Sequence, residues 1–161
     1  MTKYQSPIAA LPDEHMRMVG IISTHWEWVE LILERALAEI MEHDPKRVGV
    51  LTTNIGFYQK CDLILAHARV FQQNDPPKWR AFTNCIESLR SAYTARNQHI
   101  HAKWKMLNNQ IYLTEVRTRG GKLTIIDEPW DIQRMNDAAQ QIAAAGEEFV
   151  KLMRSFDLLQ P

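Results

Sequence analysis

Residues 13–43 read DEHMRMVGIISTHWEWVELILERALAEIMEH, and within them Val19, Ile22, Trp26, Val29, Leu33, Ala36 and Ile40 recur at spacings of three and four. An apolar stripe of that period, sustained over three heptads, predicts a long helix packed in a bundle. At about 1.5 Å per residue it spans roughly 45 Å. Asp44-Pro45 stops it and supplies a cap for whatever follows. The next stretch, 46–54, is ambiguous between helix and strand because of Gly49 and its β-branched residues. A second helix is expected from about Thr53 to Gln73, with Ile55, Tyr58, Cys61, Leu65 and Ala68 inward, and Asn74-Asp75-Pro76-Pro77 breaks it.

A third helix is expected from about Lys78 to Met106, burying Phe82, Ile86, Leu89, Tyr93 and Ile100. After Asn108-Asn109 the period falls to two, and two β-prone runs flank Gly120-Gly121, which predicts a hairpin over about 110–127. From Glu128-Pro129 onward Met135, Ala138, Ile142, Ala145, Phe149, Leu152 and Phe156 restore the helical period. The fold expected is all-α, a four-helix-bundle-like domain over 13–161 with a small β-hairpin inserted before the last helix, preceded by a loose arm at 1–12.

Composition agrees. The chain has 161 residues, 45% hydrophobic, with six Gly and seven Pro, which suits one helical domain with a core of its own. No run approaches 18 uninterrupted apolar residues, so no membrane span is expected, and residues 1–15 show no basic stretch followed by an apolar one, so no secretory signal is expected. Cys61 and Cys85 stand apart without a CxxC pair and read as reduced core thiols. A cytoplasmic protein is the expectation.

The formal net charge is zero, yet it is unevenly spread. Residues 13–44 balance at −6, residues 78–122 at +7 and residues 123–161 at −4. The positive segment contains Arg90, Arg96, Lys103 and Lys105, a footprint suited to phosphate. The same bases can equally salt-bridge across the bundle, where an exposed pair is worth about 0–1 kcal/mol.

Cofactor and metal chemistry find little support. No Glu-x-x-His occurs, and His99 and His101 point about 200° apart on a helix, so they cannot chelate one ion. His15, His25, His43 and His67 lack ligand spacing. Neither GxGxxG nor GxxxxGK[ST] is present, and neither is GxSxG. What remains is Ala95-Arg96-Asn97-Gln98-His99-Ile100-His101-Ala102-Lys103-Trp104. Asn97 and His101 share a helix face; Arg96 lies about 140° round from His101, within reach of its long side chain. A permanent cation, an amide and an imidazole with an ordinary pKa near 6.5 together suit phosphodiester chemistry without metal. His99 reads as solvated or structural. Trp26, Trp28 and Trp104 are candidates for an interface, with a core place favoured for Trp26.

Arg96-Asn97-Gln98-His99-Ile100-His101 resembles the Arg-polar-x-x-x-His motif of HEPN domains, which sits near the end of a bundle helix. The His101-Ala102-Lys103-Trp104 flank, the hairpin and the last amphipathic helix look like a bacterial branch of that superfamily. The resemblance implies a homodimer that brings two motifs into one cleft, and a metal-independent endoribonuclease of the toxin or defence type, with a possible antitoxin protein as partner. It implies that Arg96 binds the scissile phosphate, that His101 moves a proton at the ribose 2′-OH and that Asn97 positions His101. Lys103, Lys105 and Arg90 would add RNA contacts. The other reading is an inactive HEPN-like module for RNA or nucleotide binding, or for dimerisation alone.

Overall fold

Asp44-Pro45 both ends one helix and begins another. The computed structural model describes residues 11–72, 75–108, 110–119 and 122–156, and among these the side chains at 71, 72, 115–119, 122 and 123 are left aside. The arm expected at 1–12 and the Gly120-Gly121 turn therefore lie almost wholly outside the described residues. The first helix, α1, runs Asp13–Ile40. Asp13 and Glu14 occupy its first turn, where carboxylates favour the exposed N–H ends. It closes three residues earlier than His43: Glu42 adopts φ 52° and the His43 N–H donates to Ala38 O at 3.0 Å. That left-handed residue satisfies an end carbonyl and turns the chain. Asp44 Oδ1 then accepts from the Lys46 N–H at 2.8 Å and opens a short helix, α2, Pro45–Thr52. The ambiguous stretch is thus helical, because Val48 and Thr52 fall on one face and bury against the body.

Helix α3, Phe57–Gln72, buries Phe57, Lys60, Cys61, Ile64 and Ala68. Tyr58 was expected inward but is 47% exposed. The inner face is turned by about one residue because Phe57 takes the aromatic slot against Trp26 and Tyr93 (ring centroids 5.0 and 4.6 Å). Lys60 is drawn in with that face, and its ammonium donates to Glu30 and Glu34 of α1 at 2.8 and 3.0 Å. Helix α4, Pro76–Ile100, starts on Asp75, which accepts from the Lys78 N–H. It ends at Ile100, capped by His101, six residues short of the expected Met106.

Lys103–Leu107 forms a strand, β1, which pairs antiparallel with β2 (Gln110–Arg119), and β2 pairs with β3 (Lys122–Pro129). The insertion is a three-stranded sheet rather than a hairpin. Asn108, at φ 50°, follows the last residue of β1, which pairs antiparallel with β2. Trp104 opposes Leu113, which opposes Glu128, and Lys103 opposes Thr114, which opposes Asp127. Helix α5, Ile132–Arg154, is capped by Asp131, with Glu128-Pro129 closing β3 instead of opening the helix.

The described chain is mostly helical, with five helices and this small sheet before the last of them. One core joins α1, α3, α4 and α5 through Ile22, Leu33, Ile64, Phe82, Leu89, Ile142 and Phe149. Trp26 belongs to it at 3% exposed. Trp28, 36% exposed, packs on α5: a Cβ at Gly146 would collide with its ring, so the glycine lets α1 and α5 approach closely. Cys61 and Cys85 are buried free thiols, and burial pushes both up to about 12. No described helix is long and apolar enough to cross a membrane.

Candidate functional site

The end of α4 delivers three polar side chains to one point. The His101 N–H closes the helix onto Asn97 O at 3.2 Å, so the imidazole leaves from the capping position. Arg96 bends round to it: Nη1 lies 2.8 Å from Asn97 Oδ1 and 2.8 Å from His101 Nε2. A guanidinium has no acceptor, so Nε2 accepts and the imidazole keeps its proton on Nδ1. The three candidates thus converge, as their spacing allows, although Arg96 starts on a different face. Arg96 Nε is buried without a partner.

Asn97 and His101 line a cleft of about 1050 Å³ between the end of α4, the sheet and α5. Lys103 lines it too and forms no ion pair with any described residue. It stands on β1 instead of α4, and this sets it beside the motif as a free cation. Lys105 is on the same strand face but donates to Asp127 at 3.0 Å, where Thr114 Oγ1 also donates at 2.6 Å. These two donors hold the Asp127 carboxyl below its usual range. Arg90 is placed outside the cleft lining. Its guanidinium meets Asp62 and Glu87, each at 2.6 Å, and lies 5.8 Å from the Tyr58 ring centre.

His99 is structural. It is 3% exposed, donates Nδ1–H to Ala95 O at 2.7 Å, and packs edge-on against Trp130 at 5.1 Å. Burial pushes its pKa down, with the Ala95 bond opposing. A buried, neutral His99 holds the joint between α4 and the sheet, and Trp104 packs beside Trp130 at 6.2 Å. Trp104 is thereby half-buried within the chain.

The opposite wall carries residues that no sequence motif marks. Arg134, Asp137 and Gln141 line the cleft from one stripe of α5, at spacings of three and four. Arg134 lies over the Trp130 ring at 4.7 Å and pairs with Glu128 at 3.0 Å. Asp137 accepts from Gln133 Nε2 at 2.7 Å, and Gln141 donates to Ser91 Oγ at 2.7 Å. In the sequence these are ordinary members of the polar face of an amphipathic helix.

Among the described residues no group of three or more His, Cys, Asp or Glu is arranged to hold a metal ion. The cleft instead joins a cationic, proton-accepting corner at the end of α4 to a polar, partly acidic wall on α5. Compared with models of known families, with curated proteins and with solved structures, the chain matches none of them.

Proposed function

We propose that this chain is a HEPN-type helical domain and a metal-independent endoribonuclease, which works as a homodimer with two Arg-Asn-His triplets in a composite cleft. The observation that carries the reading is the convergence of Arg96, Asn97 and His101, with the 2.8 Å contact between Arg96 and His101 at the edge of a cleft that holds an unpaired lysine. A guanidinium offers a phosphate two parallel N–H donors and balances the charge that grows on it in the transition state. An imidazole moves protons at neutral pH.

The reaction that fits is internal transesterification. The scissile phosphate draws Arg96 away from His101, which frees Nε2. The 2′-OH gives its proton to that nitrogen, the O2′–P bond forms and the P–O5′ bond breaks. The leaving O5′ takes a proton from the second His101 of the dimer cleft, which enters the step as an imidazolium and ends it as a neutral imidazole. The products are a 2′,3′-cyclic phosphate and a 5′-hydroxyl. Asn97 Oδ1 accepts from the same Arg96 Nη1 that meets His101 and so keeps the pair in register.

A second reading has its own observation: in the free chain the proton-accepting atom of His101 is already occupied by Arg96. A domain that keeps this contact with RNA bound would hold RNA without cutting it. The test is cleavage of a labelled RNA by the purified chain in excess EDTA, beside His101→Ala prepared identically. Loss of at least about a hundredfold in rate is expected for the variant. Equal cleavage by both proteins removes His101 from the mechanism, and binding without cleavage by either selects the binding module.

A further inference from the structure

The cleft is larger than a phosphodiester requires. Its volume of about 1050 Å³ slightly exceeds the range for small-ligand sites, about 300–1,000 Å³, so a whole nucleotide fits beside the Arg96–His101 corner. The two walls differ in charge. The α4 and β1 wall presents Lys103 beside Asn97 and His101, whereas on the α5 side Arg134 is paired with Glu128 and Asp137 is a carboxylate without an ion-pair partner among the described residues. A free carboxylate facing a phosphate would repel it. Asp137 therefore suits a part of an RNA substrate that offers hydrogen-bond donors, and with the ribose 2′-OH given to His101 that part is the base.

Resting on the RNA-site reading above, we propose that the α5 stripe Arg134, Asp137 and Gln141 is a base-reading subsite that selects guanine next to the bound phosphate. A carboxylate accepts only, at two oxygens side by side. Guanine alone among the four bases sets two donors side by side on its pairing edge, N1–H and N2–H. Adenine and cytosine set a donor beside an acceptor, and uracil sets one donor between two acceptors. Gln133 fixes the Asp137 carboxylate through a 2.7 Å bond and leaves lone pairs on both oxygens. One turn away along the stripe, the Arg134 guanidinium lies on the Trp130 ring at 4.7 Å, a flat platform of the kind on which unpaired RNA bases stack. Ala138, between these side chains, leaves room for the ring. Gln141, held by Ser91, closes the far end. The substrate class is single-stranded RNA with an unpaired guanine, since only an unstacked base exposes this edge.

The experiment is binding by fluorescence anisotropy of four labelled 2′-fluoro heptamers, UUUXUUU with X as G, A, C or U. These lack the attacking 2′-hydroxyl and stay intact. The full chain is expected to bind X = G about tenfold or more tightly than the other three. Asp137→Asn, an exposed and nearly isosteric change, brings G to within about twofold of the rest and leaves those affinities in place. Equal binding of all four by the unmodified chain overturns the guanine subsite and leaves the RNA site standing. A preference that survives in Asp137→Asn also overturns it. Binding of none of the four removes the RNA-site reading and this one with it.

Discussion

Arg96 Nη1 donates to His101 Nε2 at 2.8 Å, across five residues at the end of α4. This contact fixes the tautomer before any substrate arrives, because an arginine can only donate. Nitrogen-detected NMR of the free chain is therefore expected to show His101 protonated at Nδ1 and bare at Nε2. Arg96→Lys is expected to lose this tautomer preference and at least about tenfold in RNA affinity, since one ammonium cannot serve Asn97, His101 and a phosphate with the geometry of a planar fork. An unchanged tautomer in Arg96→Lys would separate the two residues functionally.

Lys103 and Arg90 are expected to behave oppositely towards salt. Lys103 lines the cleft with a free charge, so Lys103→Ala should lower the slope of log K against log salt by about one. Arg90 already serves Asp62 and Glu87. Arg90→Ala should leave that slope in place and reduce thermal stability instead. Titrations of a single-stranded RNA at several salt concentrations check both.

Three histidines make the fold sensitive to mild acid. Burial lowers the pKa of His99, of His15 and of His67, with neighbouring carboxylates opposing it only at His15. The unfolded chain binds these protons near pH 6.5, whereas the folded chain binds them only at lower pH. Their contribution is therefore complete above about pH 6.5 and is lost as pH falls through the folded values. Melting temperature is expected to fall between pH 7 and pH 5. His99→Phe keeps a ring against Trp130 and should flatten part of that dependence, as thermal melts at several pH values would record.

The buried ammonium of Lys60 ties α3 to α1. Burial alone lowers its pKa, but the bonds from Glu30 and Glu34 outweigh it and the net direction is up. A raised lysine pKa means that this contribution is full below the unfolded value near 10.4 and declines only as pH rises past the folded value. Lys60→Ala is expected to cost about 1–3 kcal/mol in urea unfolding at pH 7, at the lower end of buried-pair losses because both glutamates keep contact with water.

Local chemistry determined much of this protein by itself. The stripe from Val19 to Ile40 and the period of Met135 to Phe149 each act within a few residues, and each produced the expected helix; Asp44-Pro45 and Asp75-Pro76-Pro77, read as breaks, also cap the helices that follow them. The Arg96–Asn97–His101 cluster was legible for the same reason, since Asn97 and His101 share a helix face and the long side chain of Arg96 reaches it. Tertiary structure decided where α4 ends. Residues 102–107 contain no helix breaker, yet Trp104 pairs with Leu113 and packs towards Trp130 and His99, and this burial outweighs the helical preference of Lys, Met and Leu. The face of α3 also turned on distant partners, because Phe57 meets Trp26 and Tyr93, and Lys60 meets Glu30 and Glu34, only in the folded chain. The second wall of the cleft is the clearest case. Asp137 and Gln141 are unremarkable on the polar face of α5, and only the packing of α5 against α4, with the sheet across their ends, sets them opposite His101.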